Sequence, residues 1–170
     1  MNASETGDYT NLPYRHCVGV MLVNAQGRVF VGKRIDNGSV AKQEGDAWQM
    51  PQGGIDEGED LHPAALRELF EETGILADLV TIIAESREEH FYDLPPELIG
   101  KLWKGRYRGQ RQRWLLLRFN GEDGHVNLEA HEHPEFNEWK WVEPEVLPDL
   151  IVPFKKRVYR QVIEEFRDLI

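Results

Sequence analysis

Glu68, Glu71 and Glu72 stand within one short stretch, residues 53–75, which reads GGIDEGEDLHPAALRELFEETGI. At about 100° per residue, a helix through this stretch turns all three carboxylates to one face. Leu66, Leu69, Phe70 and Thr73 fall on roughly the opposite face, which can dock on a sheet. Three anions so close repel one another, and like charges one helical turn apart cost stability. A hard divalent cation with oxygen ligands would offset the repulsion, so the chemistry these residues suggest is metal binding. The plainer alternative is a solvated helix face that happens to be acidic.

The surrounding residues supply the helix that such a site needs. Asp60 suits the N-cap, and Pro63 falls in the first turn, where a missing N–H leaves no intrahelical bond unmade. Gly74 supplies the stop as a left-handed C′ residue. Upstream, His16 to Val23 reads as a buried strand, Asn24 to Gly27 as a turn, and Arg28 to Arg34 as a second strand, together a hairpin. Residues 36–46 form a polar loop, and 47–51 a short extended piece leading into the glycine turn. Downstream, Leu79 to Phe91 is expected as one long strand and Gln112 to Phe119 as a buried one. Val126 to Leu128 is a marginal strand, and Glu138 to Val142 an alternating one. Val158, Val162, Phe166 and Leu169 recur at helical spacing, which predicts a C-terminal amphipathic helix. Residues 1–13 are expected to be a flexible N-terminus and 14–170 a single α+β domain with a mixed sheet between helices.

Composition narrows the class. A chain of 170 residues is long enough for one self-sufficient core. The single Cys17 excludes an internal disulfide and, inside an apolar run, reads as a packing thiol rather than a nucleophile. No signal peptide is visible and the longest apolar run, Cys17 to Val23, is too short to span a bilayer. The expectation is a cytoplasmic protein with no membrane association and no obligate protein partner. A net charge of −10 argues against broad capture of nucleic acid. Yet the 99–121 segment has no acidic residue and seven basic ones: Lys101, Lys104, Arg106, Arg108, Arg111, Arg113 and Arg118. With a second cluster near the C-terminus, Lys155, Lys156, Arg157 and Arg160, this local basic side suits a polyphosphate or the end of a short RNA; two ordinary solvated basic segments are the alternative.

The 53–75 stretch resembles the signature of the Nudix hydrolases at every specified position. Gly53 is followed after five residues by Glu59, then after seven by Arg67-Glu68-Leu69, then Glu71-Glu72 and Gly74-Ile75. The resemblance implies a Nudix fold, an α/β/α sandwich, and a metal-dependent hydrolase of a nucleoside diphosphate linked to another group. Glu68, Glu71 and Glu72, with the Gly53 carbonyl, are the implied ligands of two or more Mg²⁺ or Mn²⁺ ions. Arg67 reads as a residue pinning carboxylate orientation, paired with Glu59. YRHCVGVML, WQMPQGGI, GQRQRW, PEFNEWKWV and FKKRVYRQVIEEF extend the likeness to one subfamily. Its members are bacterial RNA 5′ pyrophosphohydrolases and the dinucleoside polyphosphate hydrolases of bacteria and plants.

That likeness singles out Glu135 as a further metal ligand or general base; by residue type alone it is one of several acids in 129–138. It also marks Arg34, Gln110, Phe154 and Lys155 for binding the phosphate chain and first base. Physically, Arg34 and Lys155 can hold phosphate oxygens. Phe154 can stack on a base or simply pack in the core, and Tyr92 is a weaker candidate of the same kind. His125, His131 and His133 lack the paired spacing of a transition-metal site. The implied function is Mg²⁺-dependent removal of pyrophosphate from 5′-triphosphorylated RNA. The alternatives are a diadenosine polyphosphate hydrolase and, from another class, a non-catalytic nucleotide sensor.

Overall fold

Residues 11–35 and 48–170 are described in the computed structural model of the protein. The 36–46 loop and most of the 1–13 segment, both read from sequence above, lie outside the described residues. The scaffold is one eight-stranded mixed sheet. At its centre β1 (Tyr14–Val23) runs parallel to β7 (Gly109–Phe119), in register from Tyr14 opposite Gly109 to Val23 opposite Arg118. Each strand carries an apolar run, Cys17 to Val23 in β1 and Trp114 to Leu117 in β7, where both faces of the sheet are covered, as in parallel sheets generally. Val18, Val20 and Leu22 point to one face, Met21 and Val23 to the other.

The expected hairpin is present: β2 (Val29–Arg34) returns from β1 through a turn in which Gly27 has φ 75°. The Asn24 side-chain oxygen accepts the Gln26 and Arg28 N–H groups there. Beyond the turn the two strands pair only at Val23 and Val29, and the chain from 48 to 54 enters between them. β3 (Trp48–Gln49) pairs with β2, and β4 (Gln52–Gly54) pairs with β1 from Gly19 to Cys17. This fork opens the sheet where the helix begins. β8 (Phe136–Val142) covers the other edge of β2.

Helix α1 (Leu61–Thr73) packs on one face of the sheet through Ala64, Ala65 and Leu69. α2 (Leu147–Leu150) and α3 (Lys156–Phe166) cover the other, where Val158, Tyr159, Val162, Ile163 and Phe166 are buried. Burying each such large side chain contributes roughly 1.5–3 kcal/mol. The result is an α/β/α sandwich with a mixed sheet, as expected.

Four expectations are corrected. Phe70, assigned to the docking face of α1, is 37% exposed; the contact is made instead by the small Ala64 and Ala65, which bring the helix close to the sheet. The expected strand over 79–91 is two strands, β5 (Val80–Glu85) and β6 (His90–Asp93), both paired to β7. The break falls at buried Ser86, whose Oγ accepts the Trp114 N–H and donates to the Glu88 carbonyl, bending the chain off the ladder. Val126 to Leu128 forms no strand, because Asn127 donates its N–H to the Thr73 carbonyl and closes the end of α1. Leu169 is 47% exposed and lies beyond α3.

Candidate active site

Where the fork meets α1, a cleft of about 430 Å³ opens. Arg34, Gly53, Glu68, Glu71, Glu72, Gln110, Glu135, Phe154 and Lys155 all line it. These residues are drawn from six separate parts of the chain, and the fold brings every one of them to a single site. Arg67 alone among the expected site residues stands behind the wall.

The acidic wall belongs to α1. Asp60 sits at the N-cap in extended conformation without a side-chain cap bond, and Gly74 closes the helix at φ 74°. Glu68 and Glu72 are not solvated: they are 9% and 5% exposed. Burial is the main reason both carboxyls titrate above their ordinary range. For Glu72 the neighbouring Glu68 and Glu135 charges push further the same way, while a hydrogen bond from the Gln52 N–H (3.1 Å) and the Arg34 charge oppose them. The solvated-face alternative is therefore excluded for these two residues. Gly53 is required because a Cβ there would run into the Glu68 carboxylate.

Arg67 holds this wall together. Its Nε and one terminal nitrogen grip both Glu59 oxygens at 2.8 Å. The same terminal nitrogen reaches the Gly54 carbonyl at 2.9 Å, while the other reaches Glu68 at 2.9 Å and Glu71 at 3.3 Å. Glu59 also accepts the Asp56 N–H. Hydrogen bonds from Arg67, and then from Asp56, hold the Glu59 carboxyl down at about 2. The glycine turn is thus clamped to the helix that carries the carboxylates.

The opposite wall is cationic and aromatic. Lys155 is 9% exposed, with Nζ 5.4 Å from the Tyr92 ring centre and 6.0 Å from that of Phe154. Burial, then the Arg34 charge, lowers its ammonium to about 7. Phe154 answers both readings made of it: one side packs on the core of the α3 face and another lines the cleft. Glu135 is exposed on the rim, its carbonyl accepting the Ile35 N–H. The Tyr159 hydroxyl accepts the Met50 N–H at 2.8 Å, tying α3 to the link between β3 and β4.

Arg15, Gln49, Gln52 and Trp103 also line the cleft and escaped the sequence reading. Arg15 lies on β1 against Gly54, where a Cβ would meet its guanidinium. Trp103 sits at φ 51° in the 3₁₀ turn Leu102–Gly105, with the Arg15 guanidinium 5.7 Å from its ring centre. The only available signal for Arg15 was a cation at the head of a strand otherwise apolar. Cys17 is fully buried, and its thiol is pushed up to about 11, mainly by burial, which suits packing and not nucleophilic attack.

A divalent cation fits the acidic wall. Two buried carboxylates that repel one another, beside a backbone carbonyl turn, form an all-oxygen donor set of the kind hard cations take. Among the described residues no three His, Cys, Asp or Glu side chains converge so as to hold a metal ion by themselves. An open wall is what a cation shared with phosphate oxygens needs, since Mg²⁺ is commonly held by one or two carboxylates plus substrate and water. Of the histidines, His125 accepts the Glu122 N–H away from the wall, whereas His131 approaches its Glu71 at 3.9 Å.

A three-layer fold with a carboxylate helix facing a cationic cleft defines a class, the hydrolases that work on phosphate chains with a divalent metal. The NUDIX domain profile matches residues 13–162. The chain is 75% identical over 162 residues to the RNA pyrophosphohydrolase of Novosphingobium aromaticivorans, covering 95% of this chain and 98% of that protein. It is 59% identical to the RNA pyrophosphohydrolase of Sphingopyxis alaskensis, covering 96% and 99%. Among solved structures, the E. coli dihydroneopterin triphosphate pyrophosphohydrolase superposes with a TM-score of 0.67 at 23% identity, over 91% of this chain and 97% of that one. A C. elegans Ap4A hydrolase gives 0.64 at 22%, over 92% and 99%. The protein belongs to the Nudix family and is a Nudix hydrolase. Enzymes of this family generally need divalent metal ions. Among the described residues no helix is long and apolar enough to cross a membrane.

Proposed function

We propose that the protein is an RNA pyrophosphohydrolase, removing pyrophosphate from the 5′ end of triphosphorylated RNA. The observation that carries this reading is the pairing, within one cleft, of the α1 carboxylates with Arg34, Lys155 and the Phe154 ring. A phosphate chain needs cations on its oxygens, and a nucleoside at its end needs an aromatic face; the cleft supplies both. The likeness to relatives named RNA pyrophosphohydrolase supports the same substrate.

Gly53, Glu68, Glu71, Glu72 and Glu135 would hold two or more Mg²⁺ or Mn²⁺ ions, whose bound charge would offset that of the phosphate oxygens and lower the pKa of a bound water. The chain's own residues do the rest. Arg34 and Lys155 hold the oxygens of the chain, and the approach of phosphate restores to Lys155 the proton that burial makes easy to lose. Water forms a bond to phosphorus as the bridging P–O bond breaks. Its proton goes to a carboxylate of the site, with exposed Glu135 the acceptor best placed to return it to solvent. Gln110 adds a neutral donor and Phe154 a stacking face for the first base.

The test is product release from 5′-triphosphorylated RNA, diadenosine tetraphosphate and ADP-ribose, each with Mg²⁺ and with EDTA. The expected result is EDTA-sensitive pyrophosphate release, fastest from RNA. Diadenosine tetraphosphate as the better substrate would move the assignment to dinucleoside polyphosphates, ADP-ribose would reject both, and no release from any would indicate a nucleotide sensor.

A further inference from the structure

Behind the cleft, three glutamines and a tryptophan form a connected chain of hydrogen bonds. The Trp114 indole N–H donates to Gln112 Oε1 at 2.9 Å. Gln112 Nε2 then donates to Gln110 Oε1 and to Gln52 Oε1, both at 2.7 Å. Gln110 and Gln112 are 1% and 2% exposed, and Trp114 is fully buried.

An amide side chain can be turned end for end, exchanging donor and acceptor, unless a neighbour forbids it. Here one does. An indole nitrogen only donates, so Gln112 must present its oxygen to Trp114 and its NH₂ to the other two glutamines. Gln110 and Gln52 must then accept with their oxygens, which leaves their NH₂ groups for the cleft they line. Neither NH₂ has a hydrogen-bond partner among the described residues, and both side chains line the cleft.

Sequence and register make the arrangement possible. Residues 110, 112 and 114 alternate onto one face of β7. Across from them, β1 offers Cys17 opposite Gln112 and Gly19 opposite Trp114. A Cβ at Gly19 would strike the Trp114 ring, so the two small residues let the glutamine chain cross β1 to Gln52 on β4. Gln52 is also the residue whose backbone N–H holds Glu72. Its side-chain donors therefore stand beside the acidic wall, where the phosphate chain runs in the reading proposed above.

We propose that Gln112, locked by Trp114, is a positioning residue that fixes Gln52 and Gln110 as paired donors to phosphoryl oxygens of the substrate. The inference rests on the phosphoanhydride substrate and deepens it. A cation attracts any anion from a distance, whereas a fixed amide pair accepts only an oxygen in the right place, so the relay adds selectivity for the chain's position.

The test compares Gln112→Met, Gln110→Met and the double variant with wild type on 5′-triphosphorylated RNA. Met keeps the length and volume of Gln without its polar atoms. Losing one or two neutral donors is expected to raise KM roughly tenfold with kcat within about twofold, the signature of lost ground-state binding. The apparent Mg²⁺ affinity stays unchanged, which a merely structural disturbance of Glu72 would not leave untouched. Because Gln112 acts through Gln110, the double variant is expected to cost less than the product of the single effects. A KM within twofold of wild type in Gln112→Met, or effects that simply multiply, overturns the relay. Wild-type protein that releases nothing would instead overturn the substrate reading. Independently of any variant folding, side-chain amide resonances of Gln52 and Gln110 in wild type shift on adding a non-hydrolysable nucleoside triphosphate, while the Trp114 indole stays put. Unshifted Gln52 and Gln110 amides overturn the proposal.

Discussion

Two groups of charges on this protein behave in opposite ways. On β7 and just before it, Arg108 pairs with Asp93, Arg111 with Glu89 and Arg113 with Glu85, at 2.9–3.1 Å. In the cleft, Glu68, Glu72 and Lys155 are buried, and burial perturbs each of them. Lys155 and Arg34 have no ion pair among the described residues. The basic 99–121 segment looked from sequence like the side that meets phosphate, yet much of its charge is neutralised by adjacent strands. The cations that face the cleft come one at a time from β1, β2 and the start of α3. A run of like charge along a chain is thus a poor guide to the field at a site, because strand pairing recruits its partners from elsewhere.

The contrast can be broken most sharply at Glu72. Glu72→Gln is expected to fold normally and to lose on the order of a thousandfold in kcat or more, measured as phosphate release with Mg²⁺. Unchanged turnover would place the metal elsewhere. Next, Lys155→Met is expected to raise KM by roughly 10–100-fold while making the protein more stable at neutral pH. The sign follows from an ammonium whose folded pKa, about 7, lies below its unfolded value of 10.5. The unfolded chain binds the extra proton between those values, so the native lysine costs most at and below pH 7 and nothing above 10.5. Denaturant melts across that range should show the variant's advantage, on the order of 2–4 kcal/mol near pH 7, fading as pH rises.

Arg67→Lys removes the forked grip on Glu59 while keeping the charge, and is expected to cost about 10–100-fold in activity. Wild-type Glu59 titrates at about 2 instead of 4.5, so its contribution to stability is complete above pH 4.5 and disappears as pH falls to 2. Acid melts of Arg67→Lys should lack most of that slope. The smallest effect belongs to the ion pairs outside the cleft. Arg113→Ala should change activity less than about twofold and stability by at most ~1 kcal/mol, as half-exposed ion pairs usually do. A large activity loss there would erase the distinction between the two groups.

What the sequence made legible follows from periodicity and from fixed spacing. α1, its Gly74 stop and its carboxylates were readable because a helix places residues by local geometry alone. The central strands are readable from the apolar runs, Cys17 to Val23 and Trp114 to Leu117, that burial on both faces leaves in them. What stayed hidden depends on contacts between strands. Ser86 breaks an otherwise plausible strand only because Trp114 lies across from it, and Asn127 leaves extended pairing to close α1. Phe70 was assigned inward on hydrophobicity, but the closeness of α1 to the sheet depends on Ala64 and Ala65. Arg15 reaches the cleft because β1 and β4 are neighbours, a fact no residue near it announces.

The hydrogen bond from the Met50 N–H to the Tyr159 hydroxyl ties the middle of the chain to residues read more than a hundred codons later. Lys155 and Phe154 arrive with that same late segment. A polypeptide emerging from the ribosome therefore carries Arg34 and the α1 carboxylates well before it owns Lys155 and Phe154. Until that segment has docked, the cleft has its acidic wall but not the cationic and aromatic one opposite.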